Sequence, residues 1–266
     1  MSTAPNGCGH FHIFYKTLLT MKNSLIFGIN SVLNILTSHP EQLKKLYLST
    51  QRHDQKLKKI LDLAQAKHIP TEFLARQDLD KLVAQGNHQS VIAELGVVKT
   101  YTEDDLEIIL DKLREPALLL ILDEVQDPHN LGACLRCADA AGVHAVIAPK
   151  DRAVGLTPTV RKIASGAAEF VPFIQVTNLA RTLRFLRDQD VWLFGTADEA
   201  STSLYTADLT RPCALIVGSE EKGLRRLTRD LCDETLSIPM SGSVSSLNVS
   251  VASGICLFEA VRQRIV

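Results

Sequence analysis

No apolar run in the 266 residues approaches the roughly 18 that a membrane span needs. The first twenty residues carry Leu18 and Leu19 but neither a long apolar segment nor a small-residue cleavage site, so no secretory leader is expected. The six cysteines, at positions 8, 134, 137, 213, 232 and 256, are scattered and offer no disulfide framework, which points to a reducing cytoplasm. Cys134-x-x-Cys137 has no second CxxC and no matching His pair. It lies in an apolar helical stretch, so small buried thiols are expected rather than a zinc or redox site. There is no internal repeat and no low-complexity segment. A GxGxxG fingerprint and a Walker A loop are also missing: Lys222 in Gly218-Ser-Glu-Glu-Lys-Gly223 is not followed by Ser or Thr. Both absences count against nucleotide hydrolysis and against a dinucleotide-dependent oxidoreductase.

The net charge of −1 conceals an asymmetry. Residues 21–99 hold 11 Lys/Arg against 7 Asp/Glu, whereas residues 100–266 hold 17 against 23. A basic N-terminal part fits electrostatic docking of an acidic partner such as nucleic acid, although a solvated helix face gives the same balance.

Residues 1–20 read as a disordered extension or a start-site artefact, with Met21 opening a clean chain. Residues 21–99 then alternate strand and helix. Strands are expected at Leu25–Phe27, Leu46–Leu48, Glu72–Leu74 and Val91–Ala93. Asn30 is placed to cap a first helix, and Asp54 a second whose Leu57, Ile60, Leu61 and Ala64 share one face while Lys56, Lys58, Lys59 and Lys67 lie on the other. A third helix is expected at Asp78–Val83. The result is a small α/β/α module. His88 and Gln89 sit in a loop entering the last strand, as turn residues or as RNA contacts.

Residues 100–116 read as a linker helix, with Thr102 before three acidic residues as an N-terminal cap and Pro116 at its end. From 117 to 266 near-continuous apolar runs alternate with helices. Strands are expected at Ala117–Leu122, Val143–Ala148, Val171–Ile174, Val191–Gly195, Ala214–Val217 and Leu236–Ile238. Such runs suit parallel strands buried on both faces, giving a doubly wound, mostly parallel α/β domain with sites at the C-terminal strand ends.

Four stretches could carry chemistry. Asp127-Pro-His129 reads as a turn, with Asn130 at the entry of a helix that places Arg136 under two turns further on. A helix start and a guanidinium together suit a phosphate, against a reading as cap and solvated Arg. Arg161, Lys162 and Ser165 could hold a backbone phosphate or form a solvated basic face. Gly218 ends a strand and opens a glycine-bracketed turn carrying Ser219 and Glu220. Finally, Ile238 and Met240 lead into a loop of small residues, Ser245, Ser246, Leu247 and Asn248, at a helix start. That loop suits helix capping or a ligand and a substrate ribose.

Taken together, Asn130-x-Gly-Ala-x-x-Arg136, Ile216-Val-Gly-Ser-Glu220 and Ile238-Pro-Met…Ser245-Ser-Leu-Asn-Val-Ser-Val251 resemble the three motifs of the SpoU/TrmH family of RNA ribose 2′-O-methyltransferases. The likeness extends over residues 24–264. Leu224-Arg-Arg-Leu-Thr-Arg229 and Ser243–Arg264 are similar to the members that act on a large-subunit ribosomal RNA guanosine. Residues 21–99 resemble that family's RNA-binding domain of the L30e/L7Ae type.

The resemblance implies a SPOUT domain with a deep C-terminal trefoil knot, a homodimer formed through that domain, and S-adenosylmethionine as cofactor. The implied reaction is methyl transfer to the ribose 2′-OH of a guanosine in the peptidyl-transferase region of bacterial 23S rRNA, in the cytoplasm. A tRNA ribose methyltransferase or a non-catalytic ribosome-assembly factor are the alternatives. The implied catalytic residues are Arg136, Asn130, Glu220, Ser246 and Asn248. Gly218, Ser219, Ile238, Met240, Ser245 and Leu247 would bind the cofactor, and Arg161, Lys162, Ser165, His88 and Gln89 the RNA. The sulfonium is already electrophilic, so no metal is implied. Two positions depart from the family pattern: Glu221 and Ser90 stand where glycine is usual.

Overall fold

The computed structural model describes residues 25–52, 54–83, 87–96, 100–219 and 222–265. The chain divides into two compact units between Lys99 and Thr100.

In the first unit, strands β1 (Leu25–Phe27), β2 (Leu43–Ser49), β3 (Thr71–Leu74) and β4 (Val91–Leu95) form a sheet in the order β1-β4-β2-β3. β4 runs antiparallel to both β1 and β2, while β2 and β3 are parallel. Helices α1 (Ile29–Ser38), α2 (Gln55–Ala66) and α3 (Arg76–Leu82) complete it. α2 forms as its sequence dictates: the Asp54 carboxylate accepts from the N–H groups of Lys56 and Leu57, each at 3.0 Å, and Leu57, Ile60 and Ala64 are buried. α1 differs from expectation. Its cap is Gly28 at φ 95, Asn30 lies inside the helix, and the open N–H of Ile29 donates instead to Gln89 Oε1 at 3.0 Å. The local cap is replaced by a residue 60 positions away, a relationship with no local sequence signal.

The second unit holds a seven-stranded sheet of β5 (Leu118–Leu122), β6 (Ala145–Pro149), β7 (Phe173–Val176), β8 (Trp192–Thr196), β9 (Thr202–Ser203), β10 (Cys213–Val217) and β11 (Glu234–Ser237). The order is β7-β6-β5-β10-β8-β11-β9 and each neighbouring pair is parallel. β5, β6 and β10 are buried at every residue, which explains their unbroken apolar sequences. Alternate residues serve two cores. Leu118, Leu120 and Leu122 pack with α5 (Pro128–Ala140), α6 (Pro158–Ala164), α7 (Ala167–Phe170) and α10 (Val249–Arg264). Leu119 and Ile121 pack on the other face with α4 (Asp104–Lys112) and α8 (Leu179–Asp188). A last helix, α9 (Arg226–Leu231), follows the turn after β10.

The segment read as a linker helix belongs to this second unit. Leu106 of α4 is buried in the core, and Glu103 bonds the N–H of Thr177 and the Arg181 guanidinium (2.6 Å to the latter). These contacts hold the Glu103 carboxyl below the usual carboxylate range, the Thr177 N–H contributing most. The start of α4 is capped in the reverse sense: the Asp105 carboxylate accepts from the N–H and hydroxyl of Thr102. β9 and α7 had no sequence expectation; they contain only two and four residues, too few for a periodic signal.

The strand order reverses between β5 and β10. β6 and β7 extend the sheet on one side, β8 and β11 on the other. A crevice outside the carboxyl ends of the central strands follows from that arrangement.

Candidate active site

A cavity of about 350 Å³ opens at that edge. Its walls come from the segments that follow three parallel strands: Thr196–Glu199 after β8, Gly218 and Ser219 after β10, and Ile238 and Met240 after β11. Ser245, Ser246 and Leu247, just before α10, close it, with Val249 and Ala252 behind them. All six residues expected to bind a cofactor line this one space, together with Ser246.

The turn after β10 is shaped by backbone contact. Ser219 and Gly223 exchange N–H···O bonds of 3.1 and 2.9 Å. A Cβ on Gly218 would lie 2.1 Å from the Gly223 carbonyl carbon, so glycine is obligatory there. The left-handed residue of the turn among those described is Gly223, at φ 61. Glu220 and Glu221 lie outside the described residues, and the expectations placed on them stand there.

A second cavity of about 230 Å³ is lined by Glu124, Val125, Gln126, Asp127 and Asn130, and shares Ser219, Lys222 and Val249 with the first. Its floor is the start of α5. Asp127 caps that helix by accepting from the His129 N–H at 2.8 Å, so Pro128 and His129 form its first turn rather than a separate one. Proline is well placed at the first helical position because its missing N–H costs nothing there. Asn130 thus stands on the third helical residue and accepts a 3.0 Å hydrogen bond at Oδ1 from Asn248 Nδ2. Asn248 is in turn the cap of α10: its Oδ1 accepts from the Ser250 N–H at 3.0 Å and from the Ser250 hydroxyl at 2.6 Å. Two helix starts therefore meet between the cavities.

Arg136 lines neither cavity. It is exposed on α5, between buried Leu135 and half-buried Cys137, and forms no ion pair among the described residues. The helix itself packs closely on its neighbours. A Cβ on Gly132 would lie 2.7 Å from Ile163 Cβ, and Cys134 and Ser253 of α10 are in contact (Sγ–Oγ 3.6 Å). Cys134 is fully buried, and burial raises the Cys137 thiol pKa, as suits packing thiols. Among the described residues no group of three or more His, Cys, Asp or Glu could hold a metal ion, and no helix is long and apolar enough to cross a membrane.

The residues expected to meet RNA are placed unequally. Arg161 is paired with the buried carboxylate of Glu169, whose other oxygen, Oε2, has no hydrogen-bond partner among the described residues. Arg161 is therefore committed inside the fold, whereas Lys162 is exposed. Ser165 is a left-handed helix cap at φ 53. His88, read from sequence as a turn residue or an RNA contact, lies inside the first unit. It is 4% exposed, accepts at Nδ1 from the Ser90 N–H at 3.0 Å, and so carries its proton on Nε2, which meets Asp80 Oδ1 at 2.9 Å. Gln89 is exposed as a residue, but its side-chain oxygen is spent on Ile29.

Sequence reading missed Thr196–Glu199 and Arg229. Glu199 and Arg229 form an ion pair on the wall of the first cavity. A bond from its own N–H, then the guanidinium, lower the Glu199 carboxyl pKa. The available signal was position alone: this segment directly follows a buried parallel strand.

Two family models match this chain. A sequence model of the SpoU rRNA Methylase family matches residues 117–258, and one described as RNA 2′-O ribose methyltransferase substrate binding matches residues 25–99. The chain is 52% identical over 238 residues to the 23S rRNA (guanosine-2′-O-)-methyltransferase RlmB of Nitrosomonas europaea, covering 90% of this chain and 91% of that one. It is 54% identical over 243 residues to the protein of the same description from Shewanella oneidensis, covering 91% and 98%. Among solved structures, the SpoU methyltransferase AviRb from Streptomyces viridochromogenes in complex with the cofactor AdoMet superposes with a TM-score of 0.71 at 25% identity, over 95% of this chain and 98% of that one. The A. aeolicus TrmH/SpoU tRNA modifying enzyme gives a TM-score of 0.52 at 31% identity, over 61% and 82%.

Proposed function

The chain belongs to the SpoU rRNA methylase family, and from that premise we propose that it transfers a methyl group from S-adenosylmethionine to the ribose 2′-oxygen of a guanosine in bacterial 23S rRNA. One observation carries the reading. A cavity built from Gly218, Ile238, Leu247 and their neighbours abuts a second cavity reached by Asn130, and the Asn248–Asn130 hydrogen bond ties the two together. The curated relatives, at about half identity over nine-tenths of the chain, favour ribosomal RNA over tRNA and a working enzyme over a binding factor.

The residues of the first cavity fit the cofactor's chemistry. Val217, Leu236, Ile238 and Leu247 offer apolar contact for an aromatic base. Asp198 favours a cationic sulfonium or amine and Lys222 a carboxylate, whereas Glu199 and Arg229 are paired with each other. When bound, the cofactor supplies an electrophilic methyl group. The chain's own task is to place the ribose oxygen in line with it and to help remove the proton. Asn130, Ser246 and Asn248 orient the ribose in this reading. Glu220 is assigned with them by family resemblance. A guanidinium is a poor base, so the role of Arg136 in this reading is orientation and charge stabilisation.

Arg136 is absent from both cavities, which supports a homodimer in which it reaches the partner's site. The exposed Val251 and Phe258, one face of α10 at a spacing of two turns, offer the apolar contact such a dimer needs. A deep trefoil knot, the acceptor's position in the peptidyl-transferase region and action in the cytoplasm belong to the same proposal. The N-terminal unit, whose family description is substrate binding, would dock the RNA through the lysines of α2; in the second unit, exposed Lys162 and the Ser165 turn are assigned to RNA in the same reading.

Calorimetry with S-adenosylmethionine, followed by ribose-methylation mapping of 23S rRNA fragments after incubation with enzyme and cofactor, tests the reading. Saturable cofactor binding and one new 2′-O-methylguanosine are expected; no binding, or methylation of tRNA alone, overturns it. Phe258→Glu read by analytical ultracentrifugation tests the dimer, with a shift to monomer and loss of turnover expected.

A further inference from the structure

Asp123 lines neither cavity, yet it touches the elements that build both. It is the first residue after β5 and is fully buried. Its N–H donates to the Val217 carbonyl at 2.8 Å, adding one rung to the β5–β10 pairing directly before Gly218. Its carboxylate reaches the other end of the same turn. Oδ2 accepts from the Arg225 N–H at 3.0 Å, and Oδ1 from Arg225 Nε at 2.7 Å, with Nη2 at 2.6 Å. One residue therefore grips both the entry and the exit of the Gly218–Gly223 turn.

The same residue leads into the second cavity. Glu124 follows it in a left-handed conformation, φ 64, with Oε1 3.5 Å from Arg225 Nη1. Asp127, the cap of α5, and Asn130 on the first turn of that helix follow in sequence. A buried ion pair is weak evidence for added stability, since a packed apolar pair often serves the fold equally well. What a multiply bonded carboxylate does supply is a single allowed geometry.

We propose that Asp123, through Arg225, is a positioning residue that locks the cofactor turn to the segment leading into α5, on whose first turn Asn130 stands. The inference rests on the reading that the first cavity takes S-adenosylmethionine. Removing the lock frees the turn to sample other positions, so the loss falls first on cofactor affinity and then on the alignment of Asn130.

The test uses the full-length protein. Asp123→Asn keeps the side-chain volume but sets an amide NH₂ against the guanidinium. The Kd for S-adenosylmethionine by calorimetry is expected to rise about tenfold or more, the scale of one lost charge-assisted bond. The Kd for RNA is expected to change less. Arg225→Ala should behave alike, and Arg225→Lys, which keeps the charge without the fork, should recover part of the affinity. If Asp123→Asn does not fold, the two Arg225 variants carry the same comparison.

Arg264→Ala serves as the control for stability alone. Arg264 bonds the carbonyls of Leu209, Pro116, Ala117 and Arg211 at 2.8–3.0 Å, and lines neither cavity. It should lower the Tm without moving the cofactor Kd. Unchanged cofactor affinity in folded Asp123→Asn overturns the proposal. So does an equal loss of affinity in Arg264→Ala at a matched Tm. If the wild-type chain binds no S-adenosylmethionine, the cofactor reading itself fails and takes the proposal with it.

Discussion

The side-chain amide of Asn248 donates to Oδ1 of Asn130 at 3.0 Å, across 118 positions of sequence. Neither residue could turn its amide without cost. Asn248 Oδ1 is already held by the N–H and hydroxyl of Ser250, so its NH₂ must face Asn130. That bond makes the cap of one helix the orienting group of another.

Asn248→Asp removes the donor and keeps the cap. Because aspartate caps a helix as well as asparagine does, the Tm should change little. Turnover should fall by about 100-fold, the cost of removing one preorganised donor from a reacting site. Steady-state methylation beside a thermal melt reads both; a Tm loss with normal turnover would assign the bond to the fold alone.

Arg136→Lys preserves charge and loses the planar fork. Since Arg136 is exposed and outside both cavities, folding and RNA affinity should be unaffected. The rate should drop by about 100-fold or more if two fixed N–H donors orient the reacting groups. Near-normal turnover with unchanged RNA binding would remove Arg136 from the orienting role.

Ser90 occupies a left-handed conformation at φ 73, directly after Gln89 at φ 51. Ser90→Gly should relieve strain and stabilise the first unit by about 0.5–1 kcal/mol, after allowance for glycine's greater freedom when unfolded. Ser90→Val should destabilise by more than about 1 kcal/mol, because a β-branched side chain tolerates positive φ worst. Urea titrations of the two variants should move the midpoint in opposite directions; a shift in the same direction would contradict the strain argument.

Burial pushes the thiols of Cys213, Cys232 and Cys256 up to about 11, 12 and 12 from an ordinary value of 9.0. At neutral pH the three should resist alkylation until the protein unfolds, as iodoacetamide labelling with mass spectrometry would show. The sign of the pH effect follows. The folded state holds its thiol protons where the unfolded state has lost them, so stability from this source is complete below pH 9 and declines as pH rises from 9 toward 12. A flat denaturation midpoint across that window would show that other groups compensate.

Much of this protein was determined by its sequence alone. Unbroken apolar runs at β5, β6 and β10 require strands buried on both faces, and alternation with amphipathic helices then requires a parallel sheet. Asp54 and Asn248 cap their helices because a short polar side chain beside an open N–H has few better options. Gly218 announced a tight turn, and the order of Ser245, Ser246 and Leu247 before a helix announced a small-residue wall.

The tertiary structure decided what no local pattern encodes. Gln89 displaces the expected Asn30 cap from 60 residues away, and His88 turns inward because Asp80 and Ser90 occupy both its ring nitrogens. Thr196–Glu199 joins the cavity only because β8 ends beside β10. Asp123 meets Arg225, and Asn130 meets Asn248, across more than a hundred residues. Periodicity and propensity act over a few residues, so they fix the elements. The strand order brings distant loop ends to one edge of the sheet, and only that convergence makes separate polar residues into a site.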